Sequence, residues 1–306
     1  MIAADLPNRR VEAWKYSDLR AAVGEVPYML RDGRDIIERL AAKTMRTDVA
    51  AGKEDVVLER LNGGPLTAKA SEHVLQPGAA LTRIVLQDGD GVELSTARIQ
   101  LGAGAKFRQF ILSEGAKLAR IETHVSVEGE GAEVELNGVY LAGSGRHADL
   151  TSTIEHKVGN GQTRQLIKGV ARKGGRGVFQ GKIVVAPHAQ KTDARQYHHG
   201  MLLEEGAEVF AKPELMIHAD DVQCAHGNTA GGLDKGALFY MRSRGVPEAQ
   251  ARALLIEAFL SDAVPSGLPV DVREEILGRI RVWLGASWTA GAPAGEAPAV
   301  QEGAHT

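Results

Sequence analysis

Between about residue 65 and residue 223 the chain runs in short stretches such as RIQL, FRQFIL, ARIETHVSV, AEVELNGVYL and GKIVVA. Each one alternates apolar with polar residues, or is rich in β-branched ones, and glycine bounds it; this is the pattern of strands. Apolar residues at helical spacing never persist there long enough to make a crossover helix, so a doubly wound α/β fold is disfavoured. Glycine accounts for 36 of 306 residues against an aromatic share of only 5%, which suits many tight turns between short strands.

The turns repeat. PGAAL (77–81), AGAKF (103–107), EGAKL (114–118), EGAEV (130–134) and EGAEV (205–209) share the form x-Gly-Ala-x-apolar. Glycine would turn the chain, alanine would fit a tight corner, and the apolar residue would point inward. The successive spacings of 26, 11 and 16 before a long gap fit a β-solenoid whose coils differ in length. The spacing alone leaves an antiparallel sandwich or cupin-like barrel open.

Helical spacing flanks this region. Ile36, Ile37, Leu40 and Ala41 recur in RDIIERLAAK, so residues 1–60 read as an N-terminal helical region, with Trp14 and Tyr16 anchoring a short helix. Residues 61–232 form the β core. In 233–286, VPEAQARALLIEAFL starts a helix at Pro247 with Ala251, Leu254, Leu255, Ala258 and Phe259 on one face. Asp271 and Glu274 then resemble a capping box ahead of Leu277, Ile280 and Leu284. The Ala/Gly/Pro-rich 287–306 reads as a disordered tail.

Lys+Arg 36 against Asp+Glu 39 gives a net charge of -3, which offers a nucleic acid no electrostatic attraction. No apolar run reaches the roughly 18 residues of a membrane-spanning helix. A single cysteine and a start without a secretory layout point to the cytoplasm.

That single cysteine, Cys224, stands two positions before His226 in DDVQCAHGN. On an extended chain the two side chains project to one side, and a thiolate with an imidazole suits a soft metal. The plainer reading, a small buried cysteine beside a satisfied histidine, stays open. Structural zinc takes four ligands, catalytic zinc three, and iron-sulfur clusters mostly thiolates. His218 and one of Asp220 or Asp221 could add donors, as in a β-barrel metalloenzyme built on His218 and His226, but a sulfur-rich centre would need a second chain. His198 and His199 are adjacent, hence on opposite faces, and read as solvated; His156 and His188 read as structural. The basic run Arg164, Lys168, Arg172, Lys173 and Arg176 reads as a solvated turn. Neither a phosphate-binding loop, nor G-x-S-x-G, nor H-E-x-x-H is present, so no enzyme class is signed.

Three stretches, LPNRRVEAWKYSDLR, GKIVVAPHAQKTDARQ and above all PELMIHADDVQCAHGNTAGGLDKGALFYMRSRGVPEAQARALLIEAFL, resemble the SufB/SufD family of iron-sulfur cluster assembly proteins. With one cysteine the chain is more like SufD than the cysteine-richer SufB. The resemblance implies a right-handed parallel β-helix with helical flanks and a non-enzymatic scaffold role. It further implies a heterodimer with a SufB-like paralogue through strand edges and docking of a SufC-like ATPase on the C-terminal helices; a homodimer of the isolated chain stays open. Cys224 and His226 match the family's Cys-x-His, which implies iron or a transient iron-sulfur cluster at the partner interface and no tightly held cofactor in the single chain. Ala225 and Asn228 stand where the family more usually has Ser and Ala.

Overall fold

The computed structural model of the chain describes residues 6–23 and 35–289. Two short helices, α1 (Leu19–Val23) and α2 (Ile36–Leu40), precede fourteen strands. The odd strands are β1 (Thr44–Val49), β3 (Leu66–Leu75), β5 (Val92–Leu101), β7 (Leu118–Val127), β9 (His147–His156), β11 (Arg176–Val185) and β13 (Glu208–Ile217). They form one seven-stranded sheet in that order. The even strands are β2 (Glu54–Leu61), β4 (Ala80–Gln87), β6 (Lys106–Ser113), β8 (Glu133–Ala142), β10 (Gln162–Ala171), β12 (Asp193–Leu202) and β14 (Gln223–Gly231), and they form the second. Every pairing is parallel. Strictly alternating sheets with parallel pairing make a flattened β-solenoid, which rules out the sandwich and barrel alternatives.

The repeat seen in the sequence is the corner of each coil. Gly78, Gly104, Gly115, Gly131 and Gly206 all have positive φ, the region glycine enters without a Cβ clash. Corner amides stack from coil to coil: Gly52 donates to Pro77 O, Gly78 to Ala103 O and Gly104 to Glu130 O. Ala79, Ala105, Ala116 and Ala132 are fully buried inside these corners, and Leu81, Phe107, Leu118 and Val134 point inward after them. The register steps from Leu66 to Val92 to Leu118 early on, and from His147 to Arg176 to Glu208 later, so the coils lengthen along the stack.

Strands begin at Thr44, so residues 44–61 form the first coil rather than extending the N-terminal helical region. The short α2 is capped by Asp35, whose side chain accepts from the Ile37 N–H. Trp14 sits in a short 3-10 turn (Glu12–Trp14) and lies over Arg120, while Tyr16 stacks on Phe210, so the segment straps across the odd-strand sheet. At the other end come α3 (Lys235–Ser243), α4 (Glu248–Ser261) and α5 (Val270–Thr289). Ile256, Leu260, Ile276, Ile280 and Leu284 pack onto the outer face of the even-strand sheet at Ile84, Leu86, Phe110, Leu112 and Leu141. The buried face of α4 is therefore turned toward Ile256 and Leu260, and Leu254 is exposed. Because α5 starts at Val270, Asp271 lies in its first turn instead of capping it. Residues 290–306, most of the expected tail, lie outside the described residues.

The basic run is not a solvated turn. Lys168 and Arg172 are buried under the C-terminal helices, where Lys168 pairs with Asp262 at 2.7 Å and lies over Phe259, and Arg172 lies over Trp283. A cation desolvated this way keeps its charge through the carboxylate and ring faces.

Inside the solenoid Tyr140 occupies space that only glycines leave free. A Cβ on Gly177 would stand 2.1 Å from its ring, as would one on Gly169. We therefore expect Gly177→Ala to cost about 3 kcal/mol or more in urea unfolding, the upper end of overpacking. Gly104→Ala, at φ 62 with nothing within 4 Å, should cost only about 1–2 kcal/mol from backbone strain. Equal losses would mean that Tyr140 does not fill that space.

Candidate functional site at the terminal coil

Parallel register places chemically alike residues in rows along the interior. On the even-strand sheet Leu81, Phe107, Val134, Thr163 and Ala194 form one row that ends in Cys224. The next row runs Arg83, Gln109, Leu136, Gln165, Gln196 and ends in His226. A third, Val85, Ile111, Gly138, Ile167 and His198, ends in Asn228. The register partners Ala194, Gln196 and His198 are all fully buried, so Cys224, His226 and Asn228 belong to the interior face of the last coil.

The middle row is polar. Arg83 bonds Glu59, Gln109 and Ser95, Gln109 bonds Thr123, Gln165 bonds Ser152, and Gln196 donates to Gly181 O at 3.2 Å. Each group finds a partner across the core, as burial requires. His226 has no further coil to seal it and is exposed, and Cys224 is half-buried against the apolar core. Burial pushes the Cys224 thiol above its ordinary value, Asp193 adds to this, and a bond with the Ala194 backbone offsets part of it. The sulfur is thus a thiol at neutral pH, and a metal would have to displace its proton.

β13 pairs only with β11, and β14 only with β12. Both are edge strands at the same end of the stack, so their outward backbone groups are unpaired by any strand of this chain. Among the described residues no three His, Cys, Asp or Glu side chains come close enough to hold a metal ion. The barrel enzyme on His218 and His226 therefore fails twice: the fold is a solenoid, and His218 with the neighbouring acids does not converge on His226. His218 lies exposed at the corner between β13 and β14. Cys224 and His226 fit instead as two donors of a larger, shared site.

His198 and His199 do face opposite ways, but only His199 is outward. It meets Thr229 at 2.7 Å across the β12–β14 ladder. His198 is fully buried, stacked between Phe179 at 5.1 Å and Tyr140 at 5.9 Å, and bonded through Nε2 to the Tyr140 hydroxyl (3.0 Å) and through Nδ1 to Asn228 Oδ1 (2.6 Å). Neither Tyr140 nor this link was foreseeable from local pattern; only the coil register joins residues so distant in sequence. His156 is buried and meets Thr163 at 2.8 Å.

Comparison with known proteins decides the class. A family model described as "SUF system FeS cluster assembly, SufBD core domain" matches residues 38–259, most of the solenoid and the first long C-terminal helix. The chain belongs to the SufB/SufD family. It is 35% identical over 166 residues to the iron-sulfur cluster assembly protein SufD of Escherichia coli, covering 54% of this chain and 39% of that one. A SufBD family protein of Synechocystis, slr0076, is 34% identical over 194 residues, covering 63% and 43%. Another from Mycobacterium leprae, ML0594, is 29% identical over 239 residues, covering 75% and 61%. The chain thus spans roughly half the length of these curated relatives. No described helix is long and apolar enough to cross a membrane.

Burial lowers the pKa of His198 to about 4. The unfolded chain takes that proton near pH 6.5, so between these values it binds more protons than the folded one, and stability falls as pH drops. From pH 7 to 5 this residue should account for about 2 kcal/mol of loss. His198→Phe, which keeps the ring stack, should shallow the pH dependence of urea unfolding by that amount; an unchanged slope would mean His198 is not held neutral.

Proposed function

We propose that this SufB/SufD-family chain is the SufD-like subunit of a SUF scaffold complex. It acts as a scaffold rather than an enzyme, in the cytoplasm, with iron and a transient iron-sulfur cluster as cargo. The observation that carries this reading is the coincidence at one end of the solenoid: two unpaired strand edges beside the only cysteine and an exposed histidine. A SufB-like paralogue pairing along β13 and β14 would gain main-chain hydrogen bonds along both edges. The same contact would bring its thiolates to Cys224 and His226, two donors that are too few alone. A second copy of this chain could use the same edges when no paralogue is present, but two copies would bring only one cysteine each, fewer thiolates than a cluster takes.

The C-terminal helices supply the second surface. Asp234 caps α3, accepting from the Gly236 and Ala237 N–H groups. α3 buries none of its residues, and Phe239 is 72% and Tyr240 59% exposed. Aromatic side chains so exposed on a capped helix suit a binding surface, here for a SufC-like ATPase. Binding there would leave the terminal coil free for the paralogue.

Two substitutions separate these roles. His226→Ala removes a donor and little packing, so the chain should still co-purify with both partners while cluster assembly in cells falls severely. Cys224→Ala should do less, since a cysteine-rich partner replaces a thiol more readily than an imidazole. Phe239→Ala with Tyr240→Ala should abolish co-purification of the ATPase and leave the paralogue bound. Normal cluster assembly in the His226→Ala strain would refute the shared site, and retained ATPase binding would refute the docking surface.

A further inference from the structure

The third interior row ends on a group that the two metal donors leave unexplained. Asn228 lies two positions beyond His226 and four beyond Cys224 on β14, in register with the buried His198. Its Oδ1 is 2.6 Å from His198 Nδ1, and His198 Nε2 is 3.0 Å from the Tyr140 hydroxyl. The direction of this relay follows from the inventory of protons. Tyr140 is fully buried, and burial raises its pKa, so it stays a phenol. Its hydroxyl must place its proton, and His198 Nε2 is the acceptor within reach. His198 is neutral and carries one ring proton, which is thereby on Nδ1 and is donated to Asn228. Asn228 must then present its carbonyl oxygen inward, so its NH2 group faces away, toward the open end of the coil. No described residue accepts from that NH2, and Asn228 is exposed.

Two amide N–H donors beside His226 are suited to an acceptor without protons of its own. Carboxylates and phosphates are drawn to cations, and neither Cys224 nor His226 nor Asn228 supplies a fixed positive charge. The half-buried Cys224 and the apolar floor beneath it favour a soft, weakly hydrated anion instead. We infer that Asn228, oriented by the Tyr140–His198 relay, is a hydrogen-bond donor to anionic sulfur at the terminal coil, either inorganic sulfide or a cysteine thiolate of a partner. This rests on the proposed cluster-assembly reading and extends it: Asn228 would hold the sulfur while His226 holds the metal. Donors aimed at sulfur stabilise its negative charge and tune the potential of any iron it bridges. His198 and Tyr140 act through Asn228 and are positioning residues.

The single full-length chain suffices for the test, and no cluster needs to form. With its five asparagines 15N-labelled, the Asn228 side-chain amide pair can be assigned by its loss in Asn228→Asp and followed by NMR. Titration with sodium hydrosulfide should move that pair and leave the other asparagine amides in place; sodium chloride at equal ionic strength should not move it. A parallel titration with the thiolate of N-acetylcysteine separates the sources. A response to hydrosulfide alone assigns inorganic sulfide, and a response to the thiolate assigns a partner cysteine. In His198→Phe the stacked core is kept but the Nδ1–H is gone, so the amide should lose its fixed orientation and the response should drop at least tenfold in apparent affinity. A purely structural His198 would lower stability and leave the response intact. If neither sulfur species moves the Asn228 pair in the wild-type chain, or His198→Phe responds equally, the inference is overturned. Such a failure leaves the cluster-assembly reading standing, because that reading is tested by His226→Ala in cells.

Discussion

Each coil of a parallel solenoid takes its backbone hydrogen bonds from the coil before it and the coil after it. Corner glycines at positive φ keep the coils close enough for this, and their amides extend the ladder around the bends. The arrangement has no way to close on itself, unlike a barrel. Two ends must exist, and at the later one β13 and β14 present their edges together. Buried backbone groups need partners, so a long edge of this kind is either defended or used. Here the charged defences found on many natural edges are sparse on β14, whose sequence QCAHGNTAG contains no Lys, Glu, Asp or Arg.

The same ladder explains why the chemistry sits where it does. Parallel register carries each interior row to the last coil, and the row's final member inherits the inward direction without a next coil to cover it. A small residue in the Ala194 row becomes the half-buried Cys224, and a polar residue in the Gln196 row becomes the exposed His226. In the interior such polar side chains are satisfied across the core, as Gln109 is by Thr123 and Gln165 by Ser152. At the open end the same position has an unspent side chain, which is what a site completed by another chain needs. The strap of Glu12, Trp14 and Tyr16 reinforces this end: Glu12 pairs with Lys212 at 2.5 Å and Tyr16 stacks on Phe210 of β13. The last coil is thereby held in register though only one neighbour supports it.

Much of this was legible in the sequence. The x-Gly-Ala-x-apolar repeat marked the corners because glycine, alanine and the inward apolar residue each answer a local steric demand. The i, i+2 spacing of Cys224 and His226 placed them on one face for the same reason. What escaped local reading depended on distant parts of the chain. Residues 44–61 read as helical territory because nothing nearby shows that β1 will find β3 and β2 will find β4. His198 read as solvated because only the stack with Phe179 and Tyr140, and the glycines that make room for that tyrosine, draw it inward. Lys168 and Arg172 read as a solvated run because their partners, Asp262, Phe259 and Trp283, arrive from helices far along the chain.

The central claim is that the end formed by β13 and β14 is an unsatisfied edge which a partner chain completes. Amide hydrogen exchange measures this directly. In the isolated, monomeric chain the account predicts slow exchange for β5 to β11, which are paired on both sides, and fast exchange for the outward amides of β13 and β14. In the complex purified from native cells those two strands should become protected by at least tenfold, with β1 and β2 unchanged. Protection that appears at β1 and β2 instead, or β13 and β14 amides that exchange equally in the free and bound chain, would contradict it.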